Sequence, residues 1–204
     1  MAASPDTARD TTPDPASDPT LARLGAALAG LPQRGPAPVH LWNPPYCGPI
    51  DIRIAADGTW FHNGSPIRRE KMVRLFASIL RAEPDGAIRL VTPVESVGIT
   101  VEDAPFCAVE MAVDGTGGDR RISFRTNVDD LVAVGPDHPL RFEQAEGGAL
   151  KPYLLVRGDL WALVSRALTY DLVEMAESRV LDGRPWLGLE AGGAFHRIAP
   201  DEAA

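Results

Sequence analysis

Cysteine, histidine and positive charge are all scarce in this chain, and each scarcity removes a class of function. There are two cysteines, Cys47 and Cys107, and four histidines, His40, His62, His138 and His196. None falls at the short paired spacings of a metal site, such as Cys-x-x-Cys or two histidines one helical turn apart, so no metal is expected. Two cysteines far apart also argue against a disulfide framework and fit reduced structural thiols. A phosphate-cradling Gly-x-x-x-x-Gly-Lys loop is missing too, because the glycine-rich stretch Asp114 to Asp119 carries no such lysine and opens no helix.

Long apolar runs are absent. The first apolar stretch, Leu21 to Leu31, is too short and interrupted to span a bilayer, and Met1 to Asp6 lacks the features of a secretory leader. The expectation is a cytoplasmic protein with no membrane partner. Lysine and arginine number 20 against 28 aspartates and glutamates, a formal net charge of −8, which argues against a surface built to bind nucleic acid and leaves room only for a local basic patch.

What the chain does contain is 204 residues, enough for one large domain or two small ones, with 19 glycines and 19 prolines that favour turns and short strands. Residues 1 to 20 hold almost no large apolar groups and are expected to be disordered. Leu21, Leu24, Leu28 and Leu31 recur at helical spacing, which predicts a short helix capped by Thr20 and ended by Pro32 and Pro36.

The densest run of committed residues follows. Pro44, Pro45, Gly48 and Pro49 stiffen a lead-in, after which Ile50, Ile52 and Ile54 alternate with Asp51, Arg53 and Ala55. Asp57-Gly58 and then Thr59-Trp60-Phe61 complete a β-hairpin. Ser65-Pro66 reads as the start of a helix running to about Ala82, with Met72, Val73, Leu75, Phe76, Ile79 and Leu80 on its buried face. Strands are expected over 87–92 and 96–101, a second hairpin over 106–113 and 121–125, and a strand at 153–156. Asp159 then opens a second long helix to about Ala176. The segment 187–196 aligns without gaps on 52–61, which raises the possibility of an internal repeat beside chance likeness between two short hairpins.

The fold class expected is therefore α+β: two β-rich subdomains built from related strand-hairpin and helix motifs, with one long helix each. Residues 1–35 form a tail with a short helix, 36–101 the first subdomain with helix 66–82, and 102–204 the second with helix 159–176.

Three constellations could carry chemistry. Asp51 and Arg53 leave the first strand on one face, where an exposed ion pair is the simpler reading. Arg125, Asn127, Asp129, Asp130, His138 and Arg141 punctuate loops, although Asn and Asp are also ordinary turn formers. Arg68, Arg69, Lys71 and Arg74 make a basic helix face near a helix N-terminus, a place that disfavours cations unless an anion sits between them. Cys47 is the sole candidate nucleophile, and the simpler reading of it is a small packing residue.

The ordered set Asn43-Pro44-Pro45, Cys47-Gly48, Ile50-Asp51, Asp57-Gly58-Thr59-Trp60, Gly64-Ser65-Pro66-Ile67, Val91 to Glu95, Phe124 to Asp129 and His138-Pro139-Leu140-Arg141 resembles the bacterial domain of unknown function 1285 family, from about residue 36 to the C-terminus. The resemblance implies a two-part α+β fold with repeated motifs. It transfers no catalytic residue, and it implies at most a signalling or regulatory role.

Together these readings predict a non-catalytic module that binds a small ligand or protein partner. Its cleft would be formed by Asp51, Arg53, Trp60, Arg125, Asn127, Asp129, His138 and Arg141, and Arg68, Arg69 and Lys71 are candidate anion contacts. The alternatives are an enzyme using a cleft acid, base or the Cys47 thiol, and anion or nucleic-acid binding through the basic face. No cofactor is implied, and the oligomeric state is open.

Overall fold

The computed structural model describes residues 19–28, 35–145 and 147–201. The disorder expected for residues 1–18, the contact expected of Leu31 and the break expected at Pro32 lie outside the described residues, whereas residues 19 and 20 are helical, so Thr20 sits inside the first helix rather than capping it. Helix α1 (Pro19–Ala27) sends Leu21, Leu24 and Leu28 into the core, as their spacing requires. Arg23 ties it to the largely buried Glu95 at 2.9 Å.

Six strands then build a first sheet: β1 (Tyr46–Ile54), β2 (Trp60–His62), β3 (Ser65–Pro66), β4 (Leu80–Ala82), β5 (Ile88–Val91) and β6 (Ser96–Val101). Their order is β3-β2-β1-β6-β5-β4, with β1 and β6 parallel and every other pair antiparallel. Helix α2 (Glu70–Ser78) bridges β3 to β4 and buries Phe76 and Ala77.

The next six strands repeat the scheme: β7 (Phe106–Asp114), β8 (Arg121–Thr126), β9 (Leu131–Ala133), β10 (Leu140–Gln144), β11 (Leu150–Arg157) and β12 (Leu160–Val164). Their order, β10-β11-β12-β7-β8-β9, is that of the first sheet read from the opposite edge, and β7 and β12 are its parallel pair. Each unit is thus two three-stranded meanders joined through their first and last strands. Helix α3 (Arg166–Glu174) follows, then a three-stranded sheet of β13 (Glu177–Leu181), β14 (Arg184–Ala191) and β15 (Ala194–Pro200).

Three expectations change. The single long helix of each half is replaced by nine-residue helices, because residues at both ends of the first expected span and at the start of the second enter strands. Ser65 and Pro66 pair with His62 and Phe61, and Leu80 to Ala82 pair with Leu90 to Ile88. Asp159 opens no helix: Gly158 and Asp159 both have positive φ, 46° and 59°, and make a tight turn between β11 and β12. Leu160, Ala162 and Val164 are buried at period two, a pattern that the helical set Leu160, Leu163 and Val164 overlaps. Third, residues 187–196 do form a hairpin, but in the separate terminal sheet. The topological partner of β1–β2 is β7–β8, so the repetition lies between 46–101 and 106–164.

A single hydrophobic core runs through all parts, joining Leu24, Ile54, Trp60 and Phe76 to Phe106, Phe124, Leu154 and Leu189. The terminal sheet is fastened by the buried His196. Its Nδ1 accepts the Leu140 N–H at 3.3 Å, which leaves Nε2–H to donate to the Ala191 carbonyl at 3.2 Å. Among the described residues no helix is long and apolar enough to cross a membrane.

Candidate functional site

The two units meet where α2 and the β1–β2 loop of the first face the β8–β9 turn of the second. That turn, residues 126–130, is wound by Thr126, whose buried Oγ1 accepts the N–H groups of Val128 and Asp130 at 3.3 and 3.1 Å. The winding places Asp129 in the left-handed region, φ 67°, an uncommon conformation for a residue with a Cβ. Its carboxylate then reaches two arginines from different units: Oδ1 lies 2.7 Å from Arg125 Nη1 and Oδ2 lies 2.8 Å from Arg74 Nη2.

Outer carboxylates hold both arginines from behind. Glu110 takes Nε of Arg125 at 2.7 Å and also pairs with its Nη2, while Glu70 lies 3.1 Å from Arg74. The result is an alternating chain, Glu70, Arg74, Asp129, Arg125, Glu110. The bonds to Glu110 and Asp129 raise the Arg125 pKa further above its ordinary value, and the bond from Arg125 lowers that of Glu110, so both stay charged at any ordinary pH.

Beside this chain lies a groove of about 350 Å³ lined by Gly58, Thr59, Trp60, Ile67, Arg68, Glu70, Val73, Arg74, Arg125, Asn127 and Asp129. Val73 and Ile67 supply apolar surface. Trp60 is fully buried, and its Nε1–H meets no acceptor among the described residues. Arg68 is exposed and makes no ion pair or hydrogen bond with any described residue. A larger groove, about 480 Å³, shares Arg74 and Asp129 and adds Lys71, Asp130 and Arg157 with apolar groups such as Leu75 and Val128.

Both halves of the chain match family models: residues 37–104 match the N-terminal domain of unknown function DUF1285, and 105–198 the C-terminal domain of the same family. The chain belongs to the DUF1285 family. A crystal structure of a DUF1285 family protein from Silicibacter pomeroyi DSS-3 is 47% identical with a TM-score of 0.79, covering 88% of this chain and 96% of that one. Another, from Shewanella baltica OS155, is 28% identical with a TM-score of 0.48, covering 61% of this chain and 91% of that one. No curated protein matches.

In this DUF1285 chain the groove gathers Trp60, Arg125, Asn127 and Asp129 with Arg68 of the basic set. Asp51, Arg53, His138 and Arg141 lie outside both grooves. Asp51 is exposed, and Arg53 pairs with Glu102 and lies 4.1 Å over the Phe61 ring. His138 Nδ1 sits 3.0 Å from the Leu155 carbonyl and holds a turn onto β11. Arg141 pairs with Glu143 at 3.0 Å and covers the Trp161 ring at 4.2 Å. The basic set divides, since Arg68 lines the smaller groove, Lys71 the larger and Arg69 neither.

Neither thiol lines a groove. Cys107 is buried against the Ala56 to Gly58 loop, and burial, with Asp57 and Asp103 nearby, pushes its pKa up to about 11. Cys47 is exposed, with the Pro45 carbonyl 3.6 Å from its sulfur. Among the described residues no group of three or more His, Cys, Asp or Glu could hold a metal ion. Sequence reasoning missed Glu110 and Glu70 as the outer braces and Arg157 as a wall of the larger groove. Only pairing between β7 and β8 sets Glu110 opposite Arg125, a register that no local pattern announces.

Proposed function

We propose that this protein is a non-catalytic binding module that takes a small ligand in the groove between its two units. The observation that carries the reading is the lining itself: a cation with no counter-ion among the described residues and apolar side chains meet in one concavity walled by both units. The titratable groups along it are arginines and carboxylates, and Arg125 and the Glu110 behind it are held deeper in their charged forms by their mutual bond. That suits recognition by fixed charge rather than proton transfer near neutral pH, which calls for an acid or base poised there. A ligand spanning the two walls would stiffen one unit against the other, a fitting action for a regulatory component.

A thermal-shift screen of nucleotides and metabolites tests this on the full chain and on Thr59→Tyr, which adds bulk at the groove mouth while keeping the Thr59 backbone N–H donated to Asp57 Oδ1 at 2.8 Å. A ligand of the native state raises the melting temperature with concentration. The expected result is a shift that Thr59→Tyr removes. Shifts that survive in Thr59→Tyr would place the site elsewhere and overturn the reading.

A further inference from the structure

We infer that the groove's ligand carries an oxyanion, a phosphate ester or a carboxylate, and that Asp129 is an internal stand-in which this anion displaces from Arg74 and Arg125. The inference rests on the binding reading above and adds the chemical class and the mode of entry.

Charge is the first argument. The groove is lined by three arginines against two carboxylates, with Glu110 behind Arg125, on a chain whose net charge is −8, so its charge is balanced where the protein's average is acidic. The open cation is Arg68, for which the described residues supply no counter-ion. A guanidinium left open beside two others is suited to an oxyanion, which it can meet through two parallel N–H donors.

Second, Asp129 is held between two arginines that are themselves braced. Glu70 and Glu110 fix the two arginines from outside, and Asp129 occupies the space between them with one oxygen on each. Its side chain is 44% exposed and its backbone is in the costly left-handed region. A carboxylate so placed marks out an anion position between two oriented guanidinium groups, and its exposure lets it swing into water without a desolvation cost. An arriving oxyanion would bond Arg74 and Arg125, with Arg68 as the third donor. Because Arg74 belongs to the first unit and Arg125 to the second, the exchange keeps the units bridged while the ligand is bound.

Third, the donors here exceed the acceptors. The half-buried Asn127 amide, whose Oδ1 accepts the Cys107 N–H at 3.0 Å, donates one Nδ2–H to the Gly58 carbonyl at 3.4 Å, and its other Nδ2–H has no acceptor among the described residues. An acceptor-rich ligand satisfies this surplus, whereas a cation does not.

The test is calorimetric titration of the full chain with inorganic phosphate, pyrophosphate, malonate and a nucleoside monophosphate, at fixed ionic strength maintained with chloride. Asp129→Asn keeps a residue that tolerates left-handed backbone and removes the competing charge. Arg68→Ala removes the open cation from an exposed position, and folding of each variant is checked by its melting temperature without added anion. The expected result is saturable binding of at least one of these anions. It should be about tenfold weaker in Arg68→Ala, as for loss of one charge-assisted hydrogen bond, and several-fold tighter in Asp129→Asn. The four anions separate a bare phosphate site from one reading an ester or a carboxylate. Absence of binding by all four, or affinities equal in Arg68→Ala and the parent, overturns the inference. A neutral metabolite whose thermal shift is lost in Thr59→Tyr would overturn it too while leaving the groove reading intact.

Discussion

Arg157, on β11 of the second unit, donates from Nη2 to the backbone carbonyl of Ala77, in the last turn of α2 of the first, at 2.9 Å. The same guanidinium pairs through Nη1 with Asp130 and lies 4.8 Å over the Phe106 ring. A helix C-terminus leaves carbonyls without partners and carries partial negative charge, so a cation there satisfies both needs. Together with the Arg74–Asp129 pair, this bond seats α2 on the second unit and fixes the wall of both grooves.

Arg157→Ala is therefore expected to lower unfolding free energy by about 2 to 3 kcal/mol, since it strands a half-buried carboxylate and a carbonyl. Arg157→Lys keeps the charge but lacks the planar fork that spans both acceptors, and it should recover only part of the loss. Urea unfolding of both variants checks the order.

Gly58→Ala is expected to cost about 2 kcal/mol. Gly58 has φ 83°, and a Cβ there would sit 2.8 Å from Asn127 Nδ2 and 3.0 Å from Cys107 Sγ. Asn127→Ala in the same background should not restore parent stability, because the backbone penalty and the Cys107 contact stay and the Cys107 N–H loses its acceptor. Equal stability of Gly58→Ala and the parent would contradict this docking of the first loop on the second unit.

The two thiols should separate cleanly. Under native conditions one equivalent, Cys47, is expected to react with an alkylating reagent at a rate near that of free cysteine, and Cys107 only after unfolding. A much faster rate at Cys47 would revive a catalytic role for it. The folded pKa of Cys107 is about 11 against an ordinary 9.0, so the folded state retains a proton that the unfolded chain releases first. Its contribution to stability is complete below pH 9 and is lost as pH rises toward 11. Cys107→Ala should flatten that part of the pH–stability curve, after allowing for Tyr153, whose pKa is also raised, by burial and by its bond to Asp103.

Arg53→Ala and His138→Ala are expected to leave ligand affinity unchanged, within about twofold, because Arg53 is turned to Glu102 and Phe61 and His138 to the Leu155 carbonyl. Titration of the ligand found in the thermal screen against both variants checks the position of the site.

Arg125, Asn127 and Asp129 were legible as candidates because a polar cluster after a strand marks a loop, and loops on a scaffold collect function, whereas Trp60 was named as part of the first hairpin. Asp51, Arg53, His138 and Arg141 looked the same in sequence, and only contacts with Glu102, Leu155 and Trp161 distinguish them. The helix expected over 159–176 failed at its start because Leu160 to Val164 satisfies both a helical and an alternating pattern, and Gly158-Asp159 resolves the conflict by turning the chain back on β11.

Local order was written in the chain itself: the alternation of Ile52 and Ile54, the Asp57-Gly58 turn and the leucine stripe of α1 act over a few residues, where backbone geometry and side-chain period suffice. The tertiary structure alone decided that both units share one strand order, that each closes through a parallel pair, and that Arg74, Arg125 and Asp129 converge. Those outcomes join residues tens of positions apart, and they depend on burying one common core rather than on any neighbouring sequence.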